Sequence, residues 1–254
     1  MPTRLDQALV ALGLADSRTR AQAAIREGKV TVDGQVCLKP GHLVSESAVL
    51  TAEPVFDWVG RGALKLDHAL NLWPVPVTGG VFVDVGASTG GFTEVLLARG
   101  ASRVYAVDVG RDQLHPRLRA DPRVVSLEGC DARTLSLEQI PEPLDGVVCD
   151  ASFISLTKLL APALSLARPG AVLVALIKPQ FELSPDKIGK GGLVRDPADF
   201  ARAVERVQAA VIDWGWHVRA LEKSPISGGD GAVEWLLWGI KAGEEGSAQI
   251  RDPD

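Results

Sequence analysis

Val81-Phe82-Val83-Asp84-Val85-Gly86-Ala87-Ser88-Thr89-Gly90-Gly91-Phe92-Thr93 is a β-branched apolar run broken by one acid, then a turn of glycine, serine and threonine. Thr93-Glu94-Val95-Leu96-Leu97-Ala98-Arg99-Gly100 follows, an apolar helix pattern that stops at a glycine. Strand, small-residue turn and helix start form the corner where open α/β sheets hold a nucleotide-type cofactor, because residues without a Cβ let the backbone close on a ligand. The pattern is Gly-x-Ser-x-Gly-Gly, not the Gly-x-Gly-x-x-Gly of dinucleotide folds. Asp84 stands two residues before Gly86, and a second strand, Arg103-Val104-Tyr105-Ala106-Val107-Asp108, ends in another acid 22 positions after Gly86. An acid there holds a ribose diol. NAD would use that acid too. An acid ahead of the turn points instead to a ligand with a cation beside the glycines, as the sulfonium and amino group of S-adenosylmethionine are. The competing reading, a glycine turn without a ligand, loses weight because both acids stand in register.

Outward from this corner the chain alternates strand and helix. Val124-Val125-Ser126-Leu127 is a third strand, followed by Glu128-Gly129-Cys130-Asp131-Ala132-Arg133, where Asp131 and Ala132 are candidates to meet an adenine base. Leu144-Asp145-Gly146-Val147-Val148-Cys149-Asp150 is a fourth strand ending in an acid. Residues 156–167 read as one helix stopped by Arg168-Pro169-Gly170, and 171–177 as a fifth strand running into Lys178-Pro179-Gln180-Phe181-Glu182. A polar loop carries Gly189-Lys190-Gly191-Gly192; a helix over 200–214, a strand over 216–222 and a closing strand over 233–238 complete the series. Upstream, 62–72 is a helix with Lys65 near its start, where a cation opposes the helix dipole and needs another reason. The alternation predicts an α/β fold, a doubly wound sheet that binds ligands outside the carboxyl ends of its strands.

Four charged residues reach that rim: Asp150 after strand four, Lys178 after strand five, Glu234 entering the last strand and Lys65 from the preceding helix. Ordinary salt bridging explains any one of them. Together, two lysines and two acids can form alternating ion pairs that fix side chains and tune proton affinity. A desolvated lysine near a second cation loses its proton readily and could take one from a hydroxyl attacking a methyl on sulfur; its carboxylate partners act in the opposite direction. Lys178 is the residue expected to handle the ribose proton, either as base or by orienting the oxygen lone pair, with Asp150 and Glu234 holding it and Lys65 closing the ring. No metal is expected, because the leaving group would be a neutral thioether.

Residues 1–53 have a different texture. A short helix over 6–12 with Leu5, Leu9 and Leu12 on one side precedes a second over 18–27, capped by Asp16 or Ser17 and stopped by Gly28. Two short strands around Asp33-Gly34 and a closing strand at 49–51 follow. Arg18, Arg20, Arg26, Lys29 and Lys39 against Glu27 and Asp33 give residues 17–39 a balance of +3 in a chain whose formal net charge is −5. Any RNA contact is therefore local. Residues 54–61 read as a linker, leaving 62–254 as the larger domain.

The 254 residues carry three cysteines, Cys37, Cys130 and Cys149, too few and too scattered for a disulfide framework or a zinc set. They fit a reducing, cytoplasmic setting. Arg4 and Asp6 interrupt the start, so no signal peptide is expected, and the longest apolar runs are strand-length.

Two resemblances sharpen this reading. Arg4-Leu5-Asp6, Ser17-Arg18 and Gly28-Lys29-Val30-Thr31-Val32-Asp33-Gly34 resemble the S-four RNA-binding domain of ribosomal proteins and pseudouridine synthases. That implies phosphate contacts for Arg4, Arg18, Arg20 and Lys29. Lys65, Asp150, Lys178 and Glu234 match in order the Lys-Asp-Lys-Glu tetrad of FtsJ-like ribose 2′-O-methyltransferases. Gly62-Ala63-Leu64-Lys65-Leu66, the 83–93 turn, Asp150-Ala151-Ser152-Phe153-Ile154-Ser155-Leu156, Ile177-Lys178-Pro179-Gln180-Phe181-Glu182 and Gly189-Lys190-Gly191-Gly192-Leu193-Val194-Arg195-Asp196-Pro197 are similar, run for run, to the TlyA family. The resemblance implies a Rossmann-like class I methyltransferase fold and S-adenosylmethionine-dependent 2′-O-methylation of cytidine in ribosomal RNA or ribosomal subunits. It implies cofactor contacts at Asp84, Gly86, Ala87, Ser88, Gly90, Gly91, Phe92, Asp108, Val109, Asp131, Ala132 and Asp150. The sequence departs from the family at Asp112 and Gln113, at Gly129-Cys130-Asp131 and at Ala232. The family also carries the label haemolysin, but a pore needs a membrane-length helix or long lipid-facing strands, and neither is legible. An RNA-binding assembly factor without methyl transfer is the other alternative. Oligomeric state is left open.

Overall fold

The computed structural model describes residues 2–15, 17–53, 58–189, 192–228 and 231–243. Asp16, Lys190, Gly191 and the first half of the expected linker, residues 54–57, lie outside them. The chain divides into two compact units, Met1–Asp57 and Trp58–Asp254.

In the first unit, α1 (Leu5–Ala11) and α2 (Arg18–Arg26) bury Leu5, Leu9, Ala21, Ala24 and Ile25 with Val30 and Val44. Ser17 caps α2 by accepting from the Arg20 amide. β2 (Val30–Val32) pairs with β3 (Gln35–Val36) and β5 (Leu50–Ala52), and a second ladder joins β1 (Thr3–Arg4) to β4 (Leu43–Val44), two strands too short to read from the sequence. Leu12 does not extend the apolar stripe: α1 ends at Ala11, and Leu12 turns out to solvent.

The second unit opens with α3 (Ala63–Leu72) and is built on β6 (Val81–Val85), β7 (Arg103–Asp108), β8 (Val124–Glu128), β9 (Leu144–Cys149), β10 (Ala167–Ile177), β11 (Trp216–Lys223) and β12 (Trp235–Lys241). They form one sheet in the order β11-β12-β10-β9-β6-β7-β8. The strands from β8 to β10 in that order are parallel, and β12 is antiparallel to both its neighbours. Successive residues of the central strands go to opposite faces, as the pleat requires. Phe82, Val104, Val148 and Val174 pack with α3 and α4 (Gly91–Ala98), while Val83, Tyr105, Val147 and Leu173 pack under α6 (Leu156–Leu159), α7 (Ala161–Ser165) and α9 (Pro197–Asp213). Both faces are covered, which is the doubly wound Rossmann-like arrangement the alternation predicts.

Several boundaries differ from the sequence reading; the helix expected over 200–214 already starts at Pro197, and the last strand runs on to Lys241. The helix expected over 156–167 is two helices broken at Leu160, since Pro162 cannot donate within a continuous helix. β10 starts at Ala167, not 171, with an irregular register between Ala167 and Val172 that absorbs Pro169 and Gly170. The final strand begins at Trp235, leaving Val233 and Glu234 ahead of it. Two single-turn helices not read from the sequence, α5 (Pro116–Arg119) and α8 (Pro179–Glu182), each start on a proline, whose fixed φ suits a first helical position.

Candidate active site

Parallel strands put their carboxyl ends on one rim. The turn 86–90 follows β6, Asp108 ends β7, Asp131 follows β8, Asp150 follows β9 and Lys178 follows β10. Glu234 reaches the same rim because β12 runs the other way: Trp235 pairs with Ile177, so the residue before one lies beside the residue after the other.

The four rim charges form a chain. Lys65 Nζ lies 2.6 Å from Glu234 Oε2 and 3.5 Å from Asp150 Oδ2, and Lys178 Nζ lies 2.6 Å from Asp150 Oδ1. Lys65, Lys178 and Glu234 are buried and Asp150 is half-buried. Lys65 tolerates its place in the first turn of α3 because two carboxylates outweigh the helix dipole. The expected ring is open. Glu234 pairs with Lys65, and Lys178 is held instead by Asp150 Oδ1, the Asp150 carbonyl at 3.1 Å and Ser152 Oγ at 2.8 Å. Gly228 packs against the Glu234 carboxylate, where a Cβ would come within 2.3 Å of Oε1.

Two adjoining cavities meet at these residues. One, of about 490 Å³, is lined by Lys65, Asp150, Lys178, Glu234, the turn residues Gly86–Phe92 other than Gly90, Phe153 and Phe181. The other, of about 640 Å³, is lined by Val85, Gly86, Ser88, Asp108, Val109, Gln113, Asp131, Ala132, Ile154 and others. Gly86, Ser88, Asp150, Ser152 and Phe153 belong to both. Gly86 has φ +83°, and a Cβ on it would lie 2.8 Å from Ala151 Cα, so the turn closes directly on the loop after β9. Asp108 accepts from the amides of Ser88 at 2.8 Å and Gly110 at 2.7 Å, tying the turn to the loop after β7. Asp131 is held down at about 2 by the Arg133 guanidinium that chelates it.

Asp84, expected from the sequence at the cofactor, lines neither cavity. Strand alternation turns it toward α4, where it is fully buried; Oδ2 accepts from Thr93 N at 2.9 Å and Thr93 Oγ1 at 2.7 Å, while Oδ1 has no partner. Burial pushes its carboxyl up to about 7, against the two Thr93 hydrogen bonds and with the charges of Asp150 and Asp108. Asp84 is thus a support beneath the turn, holding the start of α4.

The sequence reading missed Ser152, Phe153, Phe181 and Glu182. Phe153 is 90% exposed with φ +66°, and its ring centre lies 5.3 Å from that of Phe181. The repeated phenylalanines after the two reactive strands were the available signal.

The family model for FtsJ-like methyltransferases matches residues 58–241, and that for the S4 domain matches residues 3–50. The chain belongs to the FtsJ-like methyltransferase family. A relative from Mycobacterium tuberculosis, the 16S/23S rRNA (cytidine-2′-O)-methyltransferase TlyA, is 46% identical over 92% of this chain and 88% of its own length. Hemolysin A of Brachyspira hyodysenteriae is 36% identical over 92% of this chain and 98% of its own. A solved structure from Streptococcus thermophilus, described as a hemolysin, superposes with TM-score 0.76 at 36% identity, covering 95% of this chain and 89% of that one. Among the described residues no helix is long and apolar enough to cross a membrane.

Within the FtsJ-like unit, the departures from the family pattern have structural accounts. Asp112 adopts φ +56°, a left-handed position that suits glycine. Gly129 lets Arg111 lie across it, since a Cβ there would come within 2.7 Å of the guanidinium carbon. Ala232 is buried in the wall of the tetrad cavity. In the S4 unit, Arg4 and Arg18 converge on the buried Asp6, at 3.0 Å and 3.2 Å. Asp6 is held well below the usual carboxylate range, first by Arg4 and then by Gln22 and Arg18. Both guanidiniums remain about half exposed, fixed at their bases. Arg20 and Lys29, on the first turn of α2 and just after it, are half-buried.

Proposed function

We propose that this FtsJ-like enzyme methylates the ribose 2′-hydroxyl of a cytidine in ribosomal RNA, working in the cytoplasm where ribosomal subunits are found. The observation that carries the reading is the Glu234–Lys65–Asp150–Lys178 charge chain opening into a cavity beside the glycine turn. The S4 match and the activity for which the Mycobacterium tuberculosis relative is named support RNA as substrate and cytidine as target.

The adjoining cleft fits S-adenosylmethionine. Its size suits a nucleoside. Val109, Ala132 and Ile154 offer apolar contact, Asp108 and Asp131 offer acceptors, and the turn 86–91 leaves no side chain bulk at Gly86. S-adenosylmethionine supplies an electrophilic methyl group and takes the electron pair of the broken carbon–sulfur bond as a neutral thioether. Asp108 would hold the ribose diol, Asp131 and Ala132 the base, and Ala87, Ser88, Gly91 and Phe92 the remaining edge; Gly90, expected there from the sequence, lines neither cavity and faces Leu114 and Leu118 instead.

Lys178 is placed to orient the attacking ribose oxygen. Its ammonium donates to the Asp150 carbonyl and to Ser152 Oγ and forms an ion pair with Asp150 Oδ1 at 2.6 Å, contacts that favour orientation over proton removal as its role. Ser152 is the exchangeable partner, because its hydroxyl is at the surface and can rotate, whereas the Asp150 carbonyl is fixed. The incoming hydroxyl takes that place. As the oxygen–carbon bond forms, the ribose oxygen becomes strongly acidic and its proton passes to Asp150. Lys65 and Glu234 keep Asp150 in position. Arg4, Arg18, Arg20 and Lys29 would grip phosphates, which position RNA without reading its sequence.

Transfer of a labelled methyl group from S-adenosylmethionine to isolated small and large ribosomal subunits tests this. Label should appear on a cytidine 2′-oxygen. Lys178→Ala should lower transfer by about 10²–10⁴-fold, with S-adenosylmethionine affinity by calorimetry unchanged. No transfer to either subunit, or near-normal transfer by Lys178→Ala, would refute the reading.

A further inference from the structure

We propose that Glu182 is a positioning residue for methyl transfer, acting through the loop that carries Asp150; the proposal rests on the functional reading above. Glu182 lies four residues after Lys178, at the end of α8, and is 2% exposed. It belongs to neither the charge chain nor the walls of the two cavities. Its Oε2 accepts from Ser155 Oγ at 2.5 Å and its Oε1 from the Leu156 amide at 2.8 Å. Its carbonyl accepts from Arg206 Nη1 at 2.8 Å, which fixes α8 to α9. Burial raises its pKa, against the two donors and the Arg206 charge. A carboxylate sits in such a place only where its hydrogen bonds are well made.

Those bonds seize the far end of residues 150–155. Lys178 seizes the near end, through the Asp150 carbonyl and carboxylate and through Ser152. The loops after two neighbouring parallel strands, whose last paired residues are Cys149 and Ala175, are thus tied at both ends. Between the ties Phe153 holds a left-handed backbone, which a phenylalanine keeps only where its surroundings impose it. Releasing the far end lets that segment relax, and the first interactions to shift are those of Asp150 and Ser152 with Lys178. Glu182 touches no reacting atom; it sets where the lysine's partners stand. The cofactor turn is attached elsewhere, through Asp84 and Asp108, but residues 150–154 also wall the adjoining cleft, so releasing them loosens that wall as well.

The test uses the full chain as wild type, Glu182→Ala and Glu182→Gln, with isolated ribosomal subunits and labelled S-adenosylmethionine. Glu182→Ala should lower kcat by about 100-fold, the cost of an ångström-scale misplacement, and raise the KM for S-adenosylmethionine by a clearly smaller factor, since the same loop lines the cofactor cleft. Amide exchange should accelerate over residues 150–156 and stay unchanged over 84–93. Glu182→Gln keeps an oxygen for Leu156 and can donate to Ser155, so it should restore kcat to within about fivefold of wild type. Wild-type kcat and exchange in Glu182→Ala would overturn the proposal, as would a glutamine variant as defective as alanine. If Glu182→Ala does not fold, Ser155→Ala, which removes the Oε2 donor, must show the same split between kcat and KM, or the proposal fails. A wild-type enzyme inactive on both subunits would refute the functional reading, and the exchange data alone would then decide whether Glu182 holds the loop.

Discussion

Asp84 makes folding of the second unit sensitive to pH in a calculable way. In the unfolded chain its carboxyl titrates near the ordinary 3.8; in the fold, burial moves it up to about 7. Between those values the folded state keeps a proton that the unfolded state has released, so stability falls as pH rises, and above about 7 the loss is complete. A three-unit shift at 1.36 kcal/mol per unit is about 4 kcal/mol; integrated from pH 5 to 8 it is about 3 kcal/mol. Asp84→Asn abolishes this titration. Its Oδ1 can accept both Thr93 bonds, and its amide nitrogen takes the place of the unpartnered Oδ1, at a fixed cost of about 1–3 kcal/mol. The variant should therefore be less stable than wild type at pH 5 and close to it or better at pH 8. Urea unfolding followed by tryptophan fluorescence reads this unit alone, since Trp58, Trp73, Trp214, Trp216, Trp235 and Trp238 all lie in it. Comparing the two proteins at each pH cancels the other titrating groups. A difference between them that stays constant within about 1 kcal/mol from pH 5 to 8 would show that Asp84 does not carry the proton.

Lys65→Met should cost about 3–5 kcal/mol in the same assay by stranding the buried Glu234 carboxylate. Lys65→Met with Glu234→Gln should cost less than the single change, and strictly additive effects would contradict the pairing. Replacing Arg18 and Arg20 by alanine should weaken binding to single-stranded ribosomal RNA segments and flatten the salt dependence by about 0.7 in log–log slope for each phosphate no longer neutralised; an unchanged slope would remove them from the RNA surface. Asp112→Gly should stabilise the second unit by up to about 1 kcal/mol by relieving φ +56°. Its 90% exposed carboxylate reaches Arg119, at 3.5 Å, and a fall in stability would show that this pairing outweighs the strain.

The parts of the fold written in local pattern were legible. The 81–93 corner, the central strands and the four rim charges follow from period, turn residues and strand ends. The misses have one physical origin: they depend on which side of an element a group faces, or on what lies across from it. Asp84 reads as a ligand contact until the pleat assigns it to the α4 face. Glu234 reads as a partner of Lys178 because both are at the rim, yet Lys65 comes closer from above. Glu182 has no role legible in the sequence, and only the adjacent loop after β9 gives it a reason to be buried. Thr3–Arg4 and Leu43–Val44 each have too few residues to show alternation, and their pairing is set by α1 between them.

The reversed direction of β12 also has a consequence for biosynthesis. A chain growing from its amino end lays down Lys65, Asp150 and Lys178 long before Glu234, which follows Lys65 by 169 residues. At ordinary elongation rates that interval is roughly 10–30 s. During it the glycine turn and β6 to β10 can already have emerged, while Lys65 lacks its nearest counter-ion. Premature termination anywhere between Lys178 and Glu234 would thus release a product with its cofactor corner built and its charge chain incomplete. The charge chain closes only when β12 docks beside β10 and brings Glu234 to Lys65.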